Sequence, residues 1–309
     1  GSSAEMELIK KNILLFASTN SSVLINGESG TGKEIAARAI HQACERQKGP
    51  FVKVNCAAIP RELIESELFG HKKGAFTGAL QDRRGAFRQA DQGVLFLDEI
   101  GDLPIELQAK LLHAVEEKTI TPIGASSPIP VSVKILSATN HNLENMIAAS
   151  KFRADLYYRL NTVSLHMPAL RDKPADICEL SFFFIKKFCQ EFDKPVLEIT
   201  DNAMQVLENY SWPGNVRQLK NVIERAVITC SQGIITSDLL PENINHIKSK
   251  PQPISQNIGE KIFDMATQEQ NLMICALEQC GWNQSNAAKV LGITRSALRY
   301  RLQKYGIAK

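Results

Sequence analysis

The sequence of 309 residues lacks any long apolar run, and only 6% of its residues are aromatic. A membrane-spanning helix needs about 20 consecutive apolar residues, and no segment comes close to that length. The first residues also lack the charged and then apolar order of a secretory signal peptide. We therefore expect a cytoplasmic protein that has no membrane association.

Closely spaced cysteine pairs are absent as well. The chain has seven cysteines, which is an odd number, and no two of them have the C-x-x-C spacing that is typical of zinc and redox sites. Reduced, buried thiols in a reducing compartment are therefore the expectation.

Acidic residues are missing from the C-terminal end of the chain. The whole sequence has 36 basic and 33 acidic residues. From Gly281 to Lys309 there are six basic residues and no acidic one, so the rest of the chain carries 30 basic against 33 acidic residues. A basic segment that follows a mildly acidic body predicts a nucleic-acid-binding module. The 44% of hydrophobic residues excludes a disordered or collagen-like chain.

Short apolar runs alternate with helical patterns in the first half of the chain. Apolar, β-rich runs are found at 23–25, 51–54, 94–97 and 133–136, and helical patterns at 6–17, 35–46 and 104–117. This alternation predicts an α/β fold with a parallel sheet covered by helices. After Leu165 we expect helices alone, at 175–192, 200–210 and 215–230. The predicted domains are an α/β unit at 1–170, a helical unit at 171–245, a linker at 246–262 and a small helical domain at 263–309.

A glycine-rich loop follows the first apolar run. The residues Gly27, Glu28, Ser29, Gly30, Thr31, Gly32 and Lys33 lie between a predicted strand and a predicted helix. In that context glycines allow backbone N–H groups to converge on phosphate oxygens, and a lysine reaches the β and γ phosphates. Position 34 is Glu34, where a hydroxyl usually meets Mg²⁺. The metal must therefore depend more on water, Thr31 or a distant carboxylate.

Two adjacent acids provide that carboxylate. Asp98 and Glu99 end the apolar run 94–97. Together with Lys33, this arrangement predicts that Asp98 holds Mg²⁺ and that Glu99 polarises the attacking water. The sequence thus favours hydrolysis of a nucleotide over mere binding.

Four motifs resemble one bacterial family. They read GESGTGKE at 27–34, ELIESELFGHKKGAFTGA at 62–79, FRADLYYRLN at 152–161 and WPGNVR at 212–217. Over residues 1–245 the chain resembles the AAA+ domain of the sigma-54-dependent transcription activators. The resemblance implies a P-loop ATPase with a parallel sheet and a helical lid, with ATP and Mg²⁺ as cofactors.

The loop Gly74, Ala75, Phe76, Thr77, Gly78 and Ala79 carries the most specific part of the resemblance. A phenylalanine bracketed by glycines exposes apolar surface, which indicates a contact site. In the family this loop engages sigma-54, and Phe76 and Thr77 correspond to its tip. The alternative is a turn whose Phe76 folds back into the core.

Further site residues are implied by the resemblance. Asn140 corresponds to a sensor of the γ-phosphate or the water, and Asn55 to a switch that holds Glu99 away from the nucleotide. Arg153 and Arg159 correspond to fingers that reach the nucleotide of a neighbouring subunit, which implies a ring and, by analogy, a hexamer. Without the resemblance, the residues favour a surface ion pair with Asp155 for both arginines instead.

Arg217 corresponds to a lid sensor of the nucleotide state. The sequence differs from the usual family sequence at His113 and at 121–124, where the family commonly has arginine. These positions lie in or near a second loop, so its coupling to the first loop is in doubt.

The C-terminal segment resembles a Fis-type helix-turn-helix. We expect helices at 271–280, at 284–291 and from Thr294, as cap, to about Tyr305. The last helix would present Arg295, Ser296, Arg299 and Gln303 to the major groove of double-stranded DNA. We expect phosphate contacts from Lys289, Arg301 and Lys304. A charged, solvated helix is the alternative.

The complete hypothesis is an ATP-hydrolysing activator that binds DNA upstream of a promoter and remodels the sigma-54 RNA polymerase holoenzyme. One alternative is a DNA-binding regulator that uses ATP only as an assembly ligand. A DNA-replication loader is a third class, but it would have no use for the 74–79 loop.

Overall fold

The computed structural model describes residues 1–231, 233–245, 273, 276–277, 280, 282–291 and 293–304. The chain forms two compact units, Gly1–Ile247 and Lys248–Lys309. The predicted boundary after residue 170 lies inside the first unit, and the predicted linker 246–262 lies outside the described residues. Among the described helices, none has the length and apolar character that crossing a bilayer requires.

The secondary structure alternates as expected in the first unit. The strands are β1 Val23–Asn26, β2 Phe51–Asn55, β3 Gly70–His71, β4 Arg83–Arg84, β5 Val94–Asp98, β6 Thr119–Ile120, β7 Ile129–Pro130, β8 Lys134–Thr139, β9 Val163–His166, β10 Glu198–Ile199 and β11 Ile234–Ile235. The helices of this unit are α1 Ala4–Ala17, α2 Lys33–Ala43, α3 Arg61–Phe69, α4 Ala86–Gln89, α5 Ile105–Glu117, α6 Leu143–Ala148, α7 Ala154–Leu160, α8 Pro174–Glu191, α9 Asp201–Asn209, α10 Asn215–Thr229 and α11 Glu242–Asn245.

A five-stranded parallel sheet in the order β2-β5-β8-β1-β9 forms the centre of the unit. The inner strands are mostly apolar because helices cover both faces. In β5 the side chains Val94 to Leu97 are fully buried. Leu95 packs in a cluster with Leu68 and Leu111, and Phe96 in another with Ile9 and Ile40. The predicted parallel sheet is thereby confirmed.

A buried lysine attaches α1 to the sheet. Lys134, in β8, is only 1% exposed. Its ammonium donates to the carbonyl of Phe16 at 2.7 Å and to the carbonyl of Thr19. Burial lowers the pKa of Lys134 from its usual value. The lysine therefore satisfies carbonyls at the end of α1 that would otherwise lack partners.

The helical part of the first unit, which contains α8 to α11, packs around Trp212, which is fully buried. Its indole N–H donates to the Leu207 carbonyl at 2.8 Å. Contrary to the expectation of helices alone after Leu165, β10 and β11 pair in parallel there. Strands of two residues are too short to produce a period in the sequence.

Two small antiparallel pairs, β3 with β4 and β6 with β7, are separate from the five-stranded sheet. They touch each other, because the Lys72 amide donates to the Ile123 carbonyl and the Ile123 amide to the Gly70 carbonyl, both at 2.9 Å. The loop 72–82 therefore lies beside the loop 121–128. The sequence did not predict either pair.

The second unit contains the helices α12 Gln284–Val290 and α13 Arg295–Lys304. Leu298 and Leu302 of α13 pack on Ala287 and Ala288 of α12. The amide of Ala297 donates to the Thr294 hydroxyl at 3.3 Å, so the predicted cap is confirmed. Of the predicted helix 271–280, residues 273, 276 and 277 are helical, Cys280 is in a turn, and the others lie outside the described residues, as does Tyr305.

Candidate functional site

The glycine-rich loop 27–32 joins β1 to α2, as expected. Gly30 and Gly32 have φ angles of 79° and 99°, which favour glycine. Gly30 also leaves room for another segment, because a Cβ there would lie 2.3 Å from the Gly214 carbonyl oxygen. The loop is thus shaped both by its own backbone and by the helical part of the unit.

Lys33 begins α2 and is 6% exposed. Its ammonium donates to the carbonyls of Gly27 at 2.8 Å and Glu28 at 3.3 Å, and it lies 3.6 Å from a carboxylate oxygen of Glu99. The cation therefore lies between the loop and the acids of β5.

The carboxyl ends of four strands meet beside this loop. The strand order puts Asn55, Asp98 and Thr139 at the ends of neighbouring strands, next to the end of β1. Crevices at the carboxyl edge of a parallel sheet are the usual ligand sites of such folds. Glu99 has a φ angle of 51°, and its carboxylate accepts from the Asn140 amide at 3.1 Å. The two predicted acids and Asn140 are therefore brought to the same edge as Lys33.

Glu34 belongs to a second group of charges at this edge. Its carboxylate accepts from Lys53 at 2.6 Å and from Arg38 at 2.8 Å. These hydrogen bonds, first from Lys53 and then from Arg38, lower the pKa of Glu34. Lys53 also lies 3.2 Å from a carboxylate oxygen of Asp98.

The residues present fit a magnesium ion that arrives with a nucleotide. Asp98 and Glu34 provide carboxylates, and the hydroxyl of Thr31, which donates to the Glu28 carbonyl at 2.8 Å, keeps oxygen lone pairs free. Among the described residues there is no cluster of three metal-ligating His, Cys, Asp or Glu side chains. Mg²⁺ characteristically combines one or two carboxylates with phosphate oxygens and water, so this donor set is sufficient.

A contact between the helical part and the glycine-rich loop was not predicted from the sequence. Arg171 donates to both carboxylate oxygens of Glu28, at 2.6 and 2.9 Å. The amide group of Asn215 donates to Glu28 at 3.1 Å and to the Ser29 carbonyl at 3.0 Å, and it accepts from the Leu170 amide. The hydrogen bonds from Arg171 and then from Asn215 lower the pKa of Glu28 to about 2.

The backbone of that contact is strained. Asn215 is fully buried and has a φ angle of 50°, while Trp212 in the same turn has one of 49°. A left-handed conformation costs a non-glycine residue about 1 to 2 kcal/mol. Such outliers persist where the surroundings hold them, and here hydrogen bonds to the loop hold Asn215. A signal was available in the motif WPGNVR, in which Asn215 precedes Arg217.

Arg217 also reaches the loop, since its guanidinium donates to the Ser29 hydroxyl at 3.3 Å. A cavity of about 600 Å³ opens between the two parts of the unit. It is lined by Lys33, Glu34, Lys53, Asn55, Asp98 and Glu99 from the sheet domain and by Arg217 and Lys220 from the helical part. The predicted loop, acids and lid arginine thus share one cavity.

The cysteine beside this cavity is not a nucleophile. Cys56 follows Asn55 and is buried. Burial, and then the negative charge of Asp98, raises the pKa of the Cys56 thiol to about 12. The thiol stays protonated near neutral pH and contributes only packing.

Some predicted residues are not brought together. Among the hydrogen bonds of the described residues, none joins Asn55 to Glu99, because the Asn55 side chain accepts from the amides of Ala57 and Ala58. Arg153 binds Asp155 through two hydrogen bonds, at 3.0 and 2.6 Å. This is the surface ion pair that the residues alone suggested.

Arg159 lies away from the 600 Å³ cavity. Its side chain is exposed and lines a separate cavity of about 330 Å³ together with Phe87 and Lys118. Neither Arg153 nor Arg159 therefore belongs to the cavity that holds Lys33 in the same chain.

The loop 74–79 is folded on itself. The Gly74 amide donates to the Ala79 carbonyl at 2.9 Å, and Ala79 to the Phe76 carbonyl at 3.0 Å. Phe76 is 40% exposed and lies edge-on to His71, with 4.9 Å between ring centroids. Thr77 is exposed at the tip. The alternative of a Phe76 folded into the core is therefore wrong.

In the second unit, the apolar and the charged residues of α13 differ in burial. Leu298 is fully buried, whereas Arg295 and Arg299 are exposed. Lys289 of α12 is exposed too. The predicted DNA-contacting residues Ser296, Arg301, Gln303 and Lys304 belong to α13, but their side chains lie outside the described part of the structure.

Comparison with known proteins reveals the family. Three family models match in succession: the Sigma-54 interaction domain at residues 1–166, the AAA+ ATPase lid domain at 171–257 and the Bacterial regulatory protein, Fis family, at 265–305. The chain belongs to the sigma-54-dependent transcription activators. The expected AAA+ P-loop fold with a helical lid and a helix-turn-helix is thereby confirmed.

Similar curated activators are longer than this chain. The regulatory protein AtoC of Escherichia coli is 48% identical over 97% of this chain and 66% of its own length. The Nif-specific regulatory protein of Azotobacter vinelandii is 44% identical over 99% of this chain and 58% of its own. The chain thus spans about three fifths of the length of these relatives.

Solved structures of a similar protein contain nucleotides. NtrX from Brucella abortus in complex with ADP is 37% identical to this chain, with a TM-score of 0.75, and the match covers 99% of this chain and 69% of NtrX. NtrX has also been solved in complex with ATP.

Proposed function

We propose that this chain is the ATPase and DNA-binding part of an activator that remodels sigma-54 RNA polymerase in the bacterial cytoplasm. The observation that carries the proposal is the placement of Lys33 between the glycine-rich loop and Glu99, 3.6 Å from that carboxylate. This is the arrangement that a phosphate-binding lysine and a water-activating base require. The ATP and ADP complexes of NtrX support the choice of nucleotide.

In the proposed reaction, loop amides and Lys33 bind the β and γ phosphates. Glu99, held by the Asn140 amide, orients the attacking water and accepts its proton. Asp98 would hold Mg²⁺ with Thr31 or Glu34 nearby, and the ion would neutralise charge on the phosphate oxygens. Arg217 would report the nucleotide state to the lid through its contact with Ser29.

Asn55 and Asn140 have complementary proposed roles. The Asn140 side chain would contact the γ-phosphate or the water, since its backbone alone holds Glu99. Asn55 would act as a switch on Glu99, which requires its side chain to leave the amides of Ala57 and Ala58.

The proposal includes a ring in which Arg153 and Arg159 serve the nucleotide of the next subunit. Both side chains are exposed and lie outside the cavity of their own chain. An arginine that enters a phosphoryl-transfer site from a neighbour contributes about 10³ to 10⁵ in rate in other systems. To reach that nucleotide, Arg153 must first give up its hydrogen bonds to Asp155. The ring that we propose is a hexamer.

The tip formed by Phe76 and Thr77 would contact sigma-54. It is exposed and lies on a loop closed by its own backbone hydrogen bonds. On α13, Arg295 and Arg299 would read bases in upstream DNA, together with Ser296 and Gln303. Lys289, Arg301 and Lys304 would contact phosphates.

The test is promoter opening by the sigma-54 RNA polymerase holoenzyme with this chain. We expect opening with ATP and none with a non-hydrolysable analogue. Thr77→Ala should keep ATP hydrolysis and lose opening, while Thr229→Ala, a threonine substitution in the lid, should behave as the unchanged protein. Hydrolysis without any opening by the unchanged chain would contradict the proposal and favour a regulator that uses ATP only for assembly.

A further inference from the structure

Lys53 connects two acids of the candidate nucleotide site. Its ammonium lies 2.6 Å from a carboxylate oxygen of Glu34 and 3.2 Å from one of Asp98. All three residues line the 600 Å³ cavity. The two carboxylate oxygens are therefore within about 6 Å of each other, and a cation lies between them.

The location of this cation matters because Asp98 is the proposed magnesium ligand. Mg²⁺ binds carboxylate oxygens at about 2.1 Å and keeps a shell of water, so an ion on Asp98 would lie close to the present position of the Lys53 ammonium. Two cations so close to each other repel. Water weakens this repulsion only in part, because the Asp98 side chain is 15% exposed.

The other lysine of the site has a different environment. Lys33 is held by the carbonyls of Gly27 and Glu28 and stays beside the phosphates when a nucleotide enters. Lys53 extends from β2, and within the described part of the chain its ammonium pairs with the two acids, with its side chain 31% exposed. A second partner, Glu34, is therefore available when Lys53 leaves Asp98.

We propose that Lys53 is a positioning residue that neutralises Asp98 and Glu34 before the nucleotide binds, and that Mg²⁺ must displace it from Asp98. This inference rests on the proposed ATP site. Its consequence is that Lys53 weakens the dependence of nucleotide binding on Mg²⁺. The lysine attracts the phosphates of metal-free ATP, and it opposes the ion that accompanies Mg²⁺–ATP.

The experiment measures equilibrium binding of a fluorescent ATP analogue to the whole chain, with Mg²⁺ and with EDTA. The quantity compared is the ratio of the Kd in EDTA to the Kd in Mg²⁺. In Lys53→Met we expect this ratio to rise at least about tenfold, because metal-free binding weakens and binding with Mg²⁺ strengthens. Glu34→Gln removes a carboxylate and should lower the ratio instead.

Two variants separate charge from packing. Lys53→Arg keeps the positive charge and should stay within about twofold of the unchanged chain. Lys110→Met removes a lysine that pairs with Glu65 outside this cavity and should leave the ratio unchanged. A ratio in Lys53→Met that stays constant or falls, or an equal change in Lys53→Arg, overturns the proposal.

The result also distinguishes this proposal from the proposed function. If the unchanged chain binds no nucleotide in either buffer, the ATP site itself is wrong. If it binds nucleotide but the ratio is insensitive to Lys53, the ATP site stands and the role of Lys53 is wrong. Should Lys53→Met fail to fold by circular dichroism, Glu34→Gln still decides, because the ratio should fall in that variant while it stays within about twofold of the unchanged chain in Lys53→Arg.

Discussion

At the scale of residues, the acids around the glycine-rich loop all have cationic partners. Glu28 has Arg171, Asp98 has Lys53, and Glu99 has Lys33. The partners differ in the role that they leave to the carboxylate. Backbone carbonyls hold the Lys33 ammonium in the site. When phosphates bind that ammonium, the Glu99 carboxylate would be free to act as a base. Arg171 belongs to the lid side, so Glu28 connects the loop to the lid.

The Glu99→Gln substitution should leave nucleotide binding intact and reduce the turnover of ATP by about 10² to 10⁴. The amide keeps the shape of the side chain but cannot accept the proton of the attacking water. Steady-state phosphate release and equilibrium nucleotide binding measure the two effects. Glu106→Gln, an exposed substitution at the start of α5, is the matched control. Normal turnover in Glu99→Gln would refute the role as base.

The Arg171→Met substitution should destabilise the chain only slightly, because both partners are nearly half exposed. The pKa of Glu28 is depressed to about 2 in the folded protein, below the usual 4.5. Its stabilising effect is therefore complete above pH 4.5 and declines as the pH falls towards 2. Urea unfolding at pH 7 and at pH 3 measures the difference between the variant and the unchanged chain.

The difference should shrink at pH 3, and Glu28→Gln should remove most of the effect of Arg171→Met. Lys151→Met, at an exposed lysine, provides a control for loss of a surface cation. A difference between the variant and the unchanged chain that is equal at both pH values would mean that Arg171 stabilises by packing and not through the carboxylate.

At the scale of elements, two connections hold the parts of the ATPase unit together. Lys134 of β8 binds carbonyls at the end of α1. The turn before α10 brings Asn215 and Arg217 onto the glycine-rich loop. The loop, the first helix and the lid therefore depend on side chains from elements that are remote in the sequence.

The Lys134→Met substitution should release α1 and cost about 1 to 3 kcal/mol, since carbonyls at the helix end lose a buried donor. Methionine retains most of the volume, so the effect reports the hydrogen bonds and not a cavity. Urea unfolding gives the stability, and limited proteolysis gives the accessibility of residues 4–17. Lys118→Met, in the loop after α5, is the control. Unchanged proteolysis of this segment would contradict the anchoring role of Lys134.

At the scale of the whole molecule, Arg217 is the one arginine among the described residues that line the candidate cavity. The cavity contains Arg217 of the lid, whereas Arg153 and Arg159 lie elsewhere. In the proposed ring, these two exposed arginines would complete the site of the neighbouring subunit. The chain has a second unit with basic α13, so the proposed nucleotide and DNA functions belong to different units.

Mixing Arg159→Ala chains with Glu99→Gln chains should restore part of the ATP hydrolysis that neither variant has alone. In a mixed ring, an intact Glu99 of one chain meets an intact Arg159 of its neighbour. Phosphate release by the mixture, compared with each variant separately, is the measurement. Asp98→Asn mixed with Glu99→Gln alters the same site twice and should show no recovery. Equal failure of both mixtures would leave Arg159 without a role across subunits.

The sequence by itself determined the features that lie within one continuous segment. The glycine-rich loop, the acids that end β5 and the capped α13 each depend on residues close together in the chain. Backbone geometry and burial then act locally, so motif and spacing were sufficient to predict them. The parallel sheet followed from the alternation of buried strands and helices, and the family followed from the motifs.

Only the tertiary structure decided which distant residues meet. Arg171 and Asn215 reach Glu28 from 143 and 187 residues away, and Lys53 reaches Glu34 from 19. Nothing in a single sequence specifies such pairs, because their formation depends on how the sheet and the lid pack. The same holds for β10 and β11, where two residues per strand are too few for a period and the pairing energy comes from long-range packing.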